Sequence, residues 1–218
     1  MFTGIDNLGL FIAAGVVLNL TPGPDVLYIL THALNRGWRT GAVAALGITT
    51  GCFVHIAAAA LGVSALMAAS SSTFSVLKWL GAAYLVYIGW SMLGTGKGRL
   101  AQPEKTATMA PAPQHLRAVF VKGFWTNALN PKVALFFLAF LPQFMVPGTE
   151  HTTATFLLLG LIFNFNSLWV NLAYAALGAG VSHRFVALQS GMAWLERFAG
   201  TLFIGFGLKL ALTDNPVP

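Results

Sequence analysis

Long apolar stretches separated by short polar breaks dominate the chain, over approximately 8–34, 40–68, 73–95, 117–142, 153–181 and 194–213. The hydrocarbon core of a bilayer is roughly 30 Å thick and takes about 20 helical residues, so each stretch is long enough to cross it once. The pattern predicts an all-α integral membrane protein with six transmembrane helices. The longest polar stretch, from Gly96 to Gln114, is rich in Pro, Ala, Lys and Gln and reads as a flexible linker. It divides the chain into a first three-helix repeat over 1–95, a linker over 96–116 and a second three-helix repeat over 117–218.

Lysine and arginine in short loops mark the cytoplasmic side. Arg36 and Arg39 lie between the first two runs, Lys97, Arg99, Lys105 and Arg117 between the third and fourth, and Arg184 and Arg197 around the fifth connection. The alternate loops carry Ser70, Ser71 and Ser72, or Glu150 and His151; the contrary charges are Lys78 and Lys209, near span ends. This bias predicts a cytoplasmic linker and both termini outside. With three spans per half, the second half enters from the opposite side, so any likeness between halves is that of an inverted repeat. Ala59-Ala60-Leu61-Gly62 returns as Ala175-Ala176-Leu177-Gly178, Lys78-Trp79-Leu80-Gly81 resembles Arg197-Phe198-Ala199-Gly200, and Pro22 matches Pro131. Chance among apolar helices rich in Ala, Leu and Gly is the competing explanation.

Composition removes the soluble alternative. Of 218 residues, 56% are hydrophobic and 8% charged, against about 25% charged in soluble domains, and the mean hydropathy is +0.73. Twelve Lys and Arg with six Asp and Glu cannot cover a water-facing exterior. The net charge of +6 does not indicate nucleic acid, because the basic residues stand singly and form no patch. Cys52 is the single cysteine, which excludes an intramolecular disulfide, a CxxC redox pair and a thiolate cluster. The run Leu8 to Leu20 is short enough for a signal-peptide core, but Asp6 precedes it with no Lys or Arg, so it is expected to belong to the mature protein.

Two runs are interrupted. Thr21-Pro22-Gly23-Pro24-Asp25 breaks the first and Asn130-Pro131-Lys132 the fourth, each about 13 residues, or roughly 20 Å of helix, from its start. Both breaks should therefore lie inside the membrane. Pro22, Pro24 and Pro131 are the helix-breaking residues. Thr21 and Asn130 are good N-caps, and Pro22 and Pro131 suit the first helical position, where no N–H is needed. Each new helix would offer backbone donors, at Gly23 and Asp25 in the first and at Lys132 and Val133 in the second. In inverted halves these positive helix ends point at each other, which suits a carboxylate. Lys132 adds a cation and Asp25 an anion, and an amino-acid zwitterion needs both. A surface turn with a solvated Asp25, a snorkelling Lys132, or a purely structural Asp25–Lys132 pair are the plainer readings.

These residues carry a family resemblance. Pro22-Gly23-Pro24-Asp25 together with Asn130-Pro131-Lys132 resembles the LysE/RhtB family of amino-acid exporters, a likeness that extends over nearly the whole chain and includes Gly47, Gly51, His55 and the long linker. It implies multi-pass insertion in a bacterial-type cytoplasmic (inner) membrane and export of amino acids driven by the proton gradient. Members similar at Asp25 and Leu27-Tyr28 are assigned neutral substrates such as threonine, homoserine or leucine. Asn164, Asn166 and Asn171 in the fifth run match no family motif and are read on physical grounds alone.

Gly47, Gly51, His55, Ala58 and Gly62 share one face of the second run, where small residues let another backbone approach. His55 is ionisable near neutral pH and needs a partner inside a span. Asn164, Ser167, Asn171 and Tyr174 form a polar stripe that either joins helices or lines a solute path. The expected substrate-binding residues are Thr21, Gly23, Asp25, Asn130, Lys132 and Asn171, and the proton-coupling candidates are Asp25 and His55. A neighbouring cation and helix end favour the ionised form of Asp25, so ammonium binding is its simpler role. No nucleophile with an adjacent base, no cofactor motif and no metal-ligand spacing is present, so neither catalysis, cofactor nor metal is expected. Competing readings are a transporter of a metal ion or other small solute on the same scaffold, a membrane-embedded enzyme, or a structural protein. The expected partners are a small amino acid, protons and membrane lipid; a homo-oligomer is compatible with this reading. A periplasm-dependent alkaline phosphatase fused to the C-terminus should be active and one fused within 96–116 inactive; the reverse pattern overturns the orientation.

Overall fold

The computed structural model describes residues 4–63, 71–94, 115–146, 151–180 and 185–212. Eight α-helices run through them: α1 (Leu8–Leu20), α2 (Pro24–Arg36), α3 (Trp38–Ala58), α4 (Ser71–Gly94), α5 (Leu116–Ala128), α6 (Pro131–Ala139), α7 (Thr152–Gly180) and α8 (Phe185–Leu212). A π-helical turn, Ala59–Val63, continues α3, and a 3₁₀ turn, Leu141–Phe144, follows α6. Among the described residues there is no strand, only an isolated antiparallel bridge between Ile5 and Met145. Most of the expected linker, with Lys97, Arg99 and Lys105, lies outside the described residues, as do Ser70, Glu150 and Arg184.

Two helices, Trp38–Gly62 and Thr152–Gly180, are long and apolar enough to cross a membrane. Two bent pairs pass the same test: α1 with α2, at 54°, and α5 with the stretch Pro131–Phe144, at 46°. The described residues thus hold two to four candidate spans. The helix expected over 194–213 begins instead at Phe185, since no proline intervenes to stop it.

Helix contacts follow small residues. On α3, a Cβ at Gly47 would strike the Phe120 carbonyl oxygen and one at Gly51 the Phe124 carbonyl oxygen, so α3 and α5 lie backbone to backbone. The α4–α8 pair is equally close, since a Cβ on Gly200 would stand 2.6 Å from the Gly89 carbonyl oxygen. The small-residue face of α3 departs from expectation at its end. Gly47, Gly51 and His55 are buried, but Ala58 and Gly62 are exposed, and Ala59 and Ala60 are buried in their place. The buried stripe advances by four residues per turn against the 3.6 of an α-helix, and the π-helical turn at Ala59 accommodates that drift.

The core between α6, α7 and the start of the chain is aromatic. Phe136, Phe137, Phe140 and Phe163 are buried together, and Phe11 meets Phe144 edge-on at 5.3 Å. The segment before α1 is clipped to the end of the α6 arm, where the Asp6 N–H donates to Phe144 and the Val146 N–H to Gly4. Outside, large apolar side chains face away from the bundle, among them Trp90, Leu129 and Leu61.

Overpacking a tight interface costs about 1–3 kcal/mol or more. Gly51→Leu should therefore lower the yield of monodisperse protein in detergent and its melting temperature. Gly62→Leu, where a side chain meets open space, should leave both unchanged. Equal behaviour of the two variants contradicts the α3–α5 packing.

Candidate functional site

The first break is built by side chains that satisfy the end of α1. Thr21 is extended and stands at its C-cap. Its N–H reaches the Val17 and Leu18 carbonyls and its hydroxyl donates to Val17 at 2.7 Å. The Tyr174 hydroxyl of α7 donates to the Leu20 carbonyl at 2.7 Å. Thr21 and Pro22 are thus not the N-cap and first residue of the next helix, as expected from sequence. Gly23 is the N-cap and Pro24 the first helical residue, because the Thr21 side chain is turned back to α1.

The second break follows the sequence reading more closely. Asn130 caps α6, with Pro131 first in the helix, and its Oδ1 accepts from the Lys132 N–H at 3.0 Å. The Lys132 N–H, expected to be open to a ligand, is therefore taken by the cap. Asp25 and Lys132 now occupy equivalent places, each second in the helix that follows its break. An anion there is favoured by the positive helix end, whereas a cation is opposed by it. Lys132 compensates by reaching to the other half, where Nζ donates to the carbonyls of Leu18 at 3.2 Å and Thr21 at 3.1 Å. These lie at the negative end of α1.

Asp25 meets the second half in the same way. Its Oδ2 accepts from Asn127 Nδ2 at 2.9 Å and from Asn130 Nδ2 at 3.0 Å. Its Oδ1 is sealed from solvent and has no hydrogen-bond partner among the described residues. Between the breaks lies a cavity of about 20 Å³, the size of one water molecule. All six expected binding residues, Thr21, Gly23, Asp25, Asn130, Lys132 and Asn171, border it, with Leu18, Asn19, Val26, Val133, Phe163 and Ser167. Polar groups thus face apolar walls.

His55 does not border the cavity. It is buried behind it, with Nε2 2.8 Å from the Asn127 carbonyl oxygen. A carbonyl only accepts, so Nε2 carries the hydrogen. The stripe on α7 is buried at Asn164, Ser167, Asn171 and Tyr174. Asn171 donates to Ser167 at 3.2 Å, while Asn164 Oδ1 has no partner among the described residues. Tyr28 faces elsewhere and ties α2 to α5 through the Val119 carbonyl, 2.8 Å from its hydroxyl.

Sequence reasoning missed Asn127, Asn19 and the contact made by Tyr174. Asn127 stands one turn before Asn130, a spacing that places two amides on one face, which was a usable signal. Asn19 and Tyr174 gave none, since their roles depend on tertiary contacts. Chemically, the site offers one anion, one cation and several amides in a buried, water-poor place. No three His, Cys, Asp or Glu side chains gather into a metal-binding group among the described residues.

Known proteins bear on this arrangement. The family model described as LysE type translocator matches residues 16–214, across both breaks. An uncharacterized membrane protein of Pseudomonas aeruginosa is 36% identical over 208 residues, covering 95% of this chain and 96% of its own length. A leucine efflux protein of Salmonella typhimurium is 30% identical over 216 residues, with 97% and 98% covered. A homoserine/homoserine lactone efflux protein of Salmonella typhi is 30% identical over 201 residues, with 92% and 94% covered. No solved structure matches the chain. With a match from the middle of α1 past the end of α8 and relatives aligned over nearly their full length, this chain belongs to the LysE type translocator family and is a membrane transporter rather than an enzyme.

Proposed function

We propose that the chain exports a small neutral amino acid across the cytoplasmic membrane of a bacterial-type cell, coupled to the proton gradient. The observation that carries this reading is the buried cavity at which two helix starts bring Asp25 and Lys132 together. The substrate ammonium binds Asp25 and its carboxylate is attracted by Lys132. The leucine and homoserine efflux relatives support a neutral cargo, as do the apolar walls Leu18, Val26, Val133 and Phe163.

The scaffold in this proposal is six spans in two inverted repeats, 1–95 and 117–218, joined by a cytoplasmic linker with both termini outside. Helix packing supports it. In such an arrangement α1 corresponds to α5, α2 to α6, α3 to α7 and α4 to α8. Accordingly α1 packs on α7 as α5 does on α3, α2 on α7 as α6 on α3, and α3 and α4 pack on their own counterparts. A cavity the size of one water is too small for an amino acid, so the halves must part on one side to admit the solute. His55 carries the proton. Its hydrogen bond through Nε2 leaves Nδ1 to gain and lose one, while Asp25 is engaged by the ammonium.

In proteoliposomes, the wild-type protein should move labelled leucine or homoserine, faster under an imposed pH gradient. Asp25→Asn and Lys132→Met should each reduce transport by roughly a hundredfold, as expected for removing one partner of a buried charged contact. Transport of no amino acid, or normal transport by both variants, refutes the reading. His55→Gln should abolish stimulation by the pH gradient while gradient-free exchange of leucine persists; stimulation that survives in this variant removes His55 from the proton path.

A further inference from the structure

We infer that Asn19, on the last turn of α1, is a specificity-determining residue that binds the carboxylate of the transported amino acid. This rests on the transport function proposed above. Four amide or ammonium side chains border the cavity: Asn19, Asn130, Lys132 and Asn171. The last three already have protein acceptors. Asn130 Nδ2 donates to Asp25, Asn171 Nδ2 to Ser167, and Lys132 Nζ to the Leu18 and Thr21 carbonyls. Asn19 Nδ2 is sealed from solvent and has no hydrogen-bond partner among the described residues.

The counterpart of this lone donor is a lone acceptor. Asp25 borders the same cavity, and its Oδ1 is likewise sealed and without a partner among the described residues. Its orientation is imposed, because Asn127 and Asn130 both hold Oδ2. A buried polar group without a partner is costly, and native proteins keep few of them. Here two occur on residues that border one cavity, of opposite hydrogen-bonding sense. A ligand that satisfies both presents an acceptor to Asn19 and a donor to Asp25. The head group of an α-amino acid does so with a carboxylate and an ammonium on one carbon. A simple amine satisfies only Asp25. Asn19 therefore makes the site select amino acids over amines of the same side chain, and Lys132, bordering the same cavity, adds charge without directing which group is read.

The test compares leucine with isoamylamine, which keeps the leucine side chain and ammonium but lacks the carboxylate. The full-length protein in proteoliposomes is assayed for leucine counterflow and for its inhibition by isoamylamine. Asn19→Ala should raise the half-saturating leucine concentration tenfold or more, since a hydrogen bond to a charged group is lost, and change isoamylamine inhibition less than twofold. Asn19→Asp should weaken leucine further, by charge repulsion, and strengthen isoamylamine, reversing the preference. If wild type moves leucine and both variants keep its leucine-to-amine ratio, Asn19 does not read the carboxylate, while the transport function stands. Parallel loss of leucine and amine in both variants assigns Asn19 a structural role and also overturns the inference. If wild type neither moves nor binds any amino acid, the transport reading fails first and this one with it.

Discussion

A helix interrupted inside a membrane exposes backbone groups that lipid cannot satisfy, and the centre of this protein is organised around that constraint. The carbonyls at the end of α1 are met by the Thr21 hydroxyl, the Tyr174 hydroxyl and the Lys132 ammonium. The start of α6 is met by Asn130. Two of these groups come from outside the broken segment, Tyr174 from α7 and Lys132 from α6. The end of α1 is thus held from the opposite half of the molecule, and Thr21, Asn130 and Lys132, which solve a backbone problem, also border the cavity.

This arrangement makes the two halves interdependent. Asp25 of the first half is held by Asn127 and Asn130 of the second, while Lys132 of the second holds carbonyls of the first. Each contact is charge-assisted and shielded, so it is stronger than the same contact in water. A solute that draws Lys132 or Asp25 toward itself necessarily competes with contacts that join the halves. The same few hydrogen bonds therefore both join the halves and engage the two charged side chains of the cavity.

Much of this was readable before any coordinates. Apolar run length separates helices from loops, and proline and glycine mark breaks by local sterics alone, so both interruptions and six of the twelve residues that border the cavity were visible as sequence. The relatives named leucine efflux protein and homoserine/homoserine lactone efflux protein belong to the family that the residues at the two breaks resembled. What stayed hidden depends on competition between neighbours. Pro22 and Pro24 both suit a helix start, and the choice of Pro24 turned on where the Thr21 side chain bonds. The shift from Ala58 and Gly62 to Ala59 and Ala60 needed the π-helical turn, which no residue pattern announces. Lys132 was recognisable as a charge, but its acceptors on α1 lie far away in sequence and emerge only from the packed bundle.

Asp25 and Lys132 each stand second in the helix that follows a break, yet carry opposite charge. An assembly of two identical halves would repeat one residue at both places, and across a two-fold axis it could present only acid against acid or base against base. A head-to-tail dipole cannot be complementary to such a site. Placing both half-helices on one polypeptide lets the two positions differ, and the cavity acquires a direction, with an anion from one half-helix and a cation from the other.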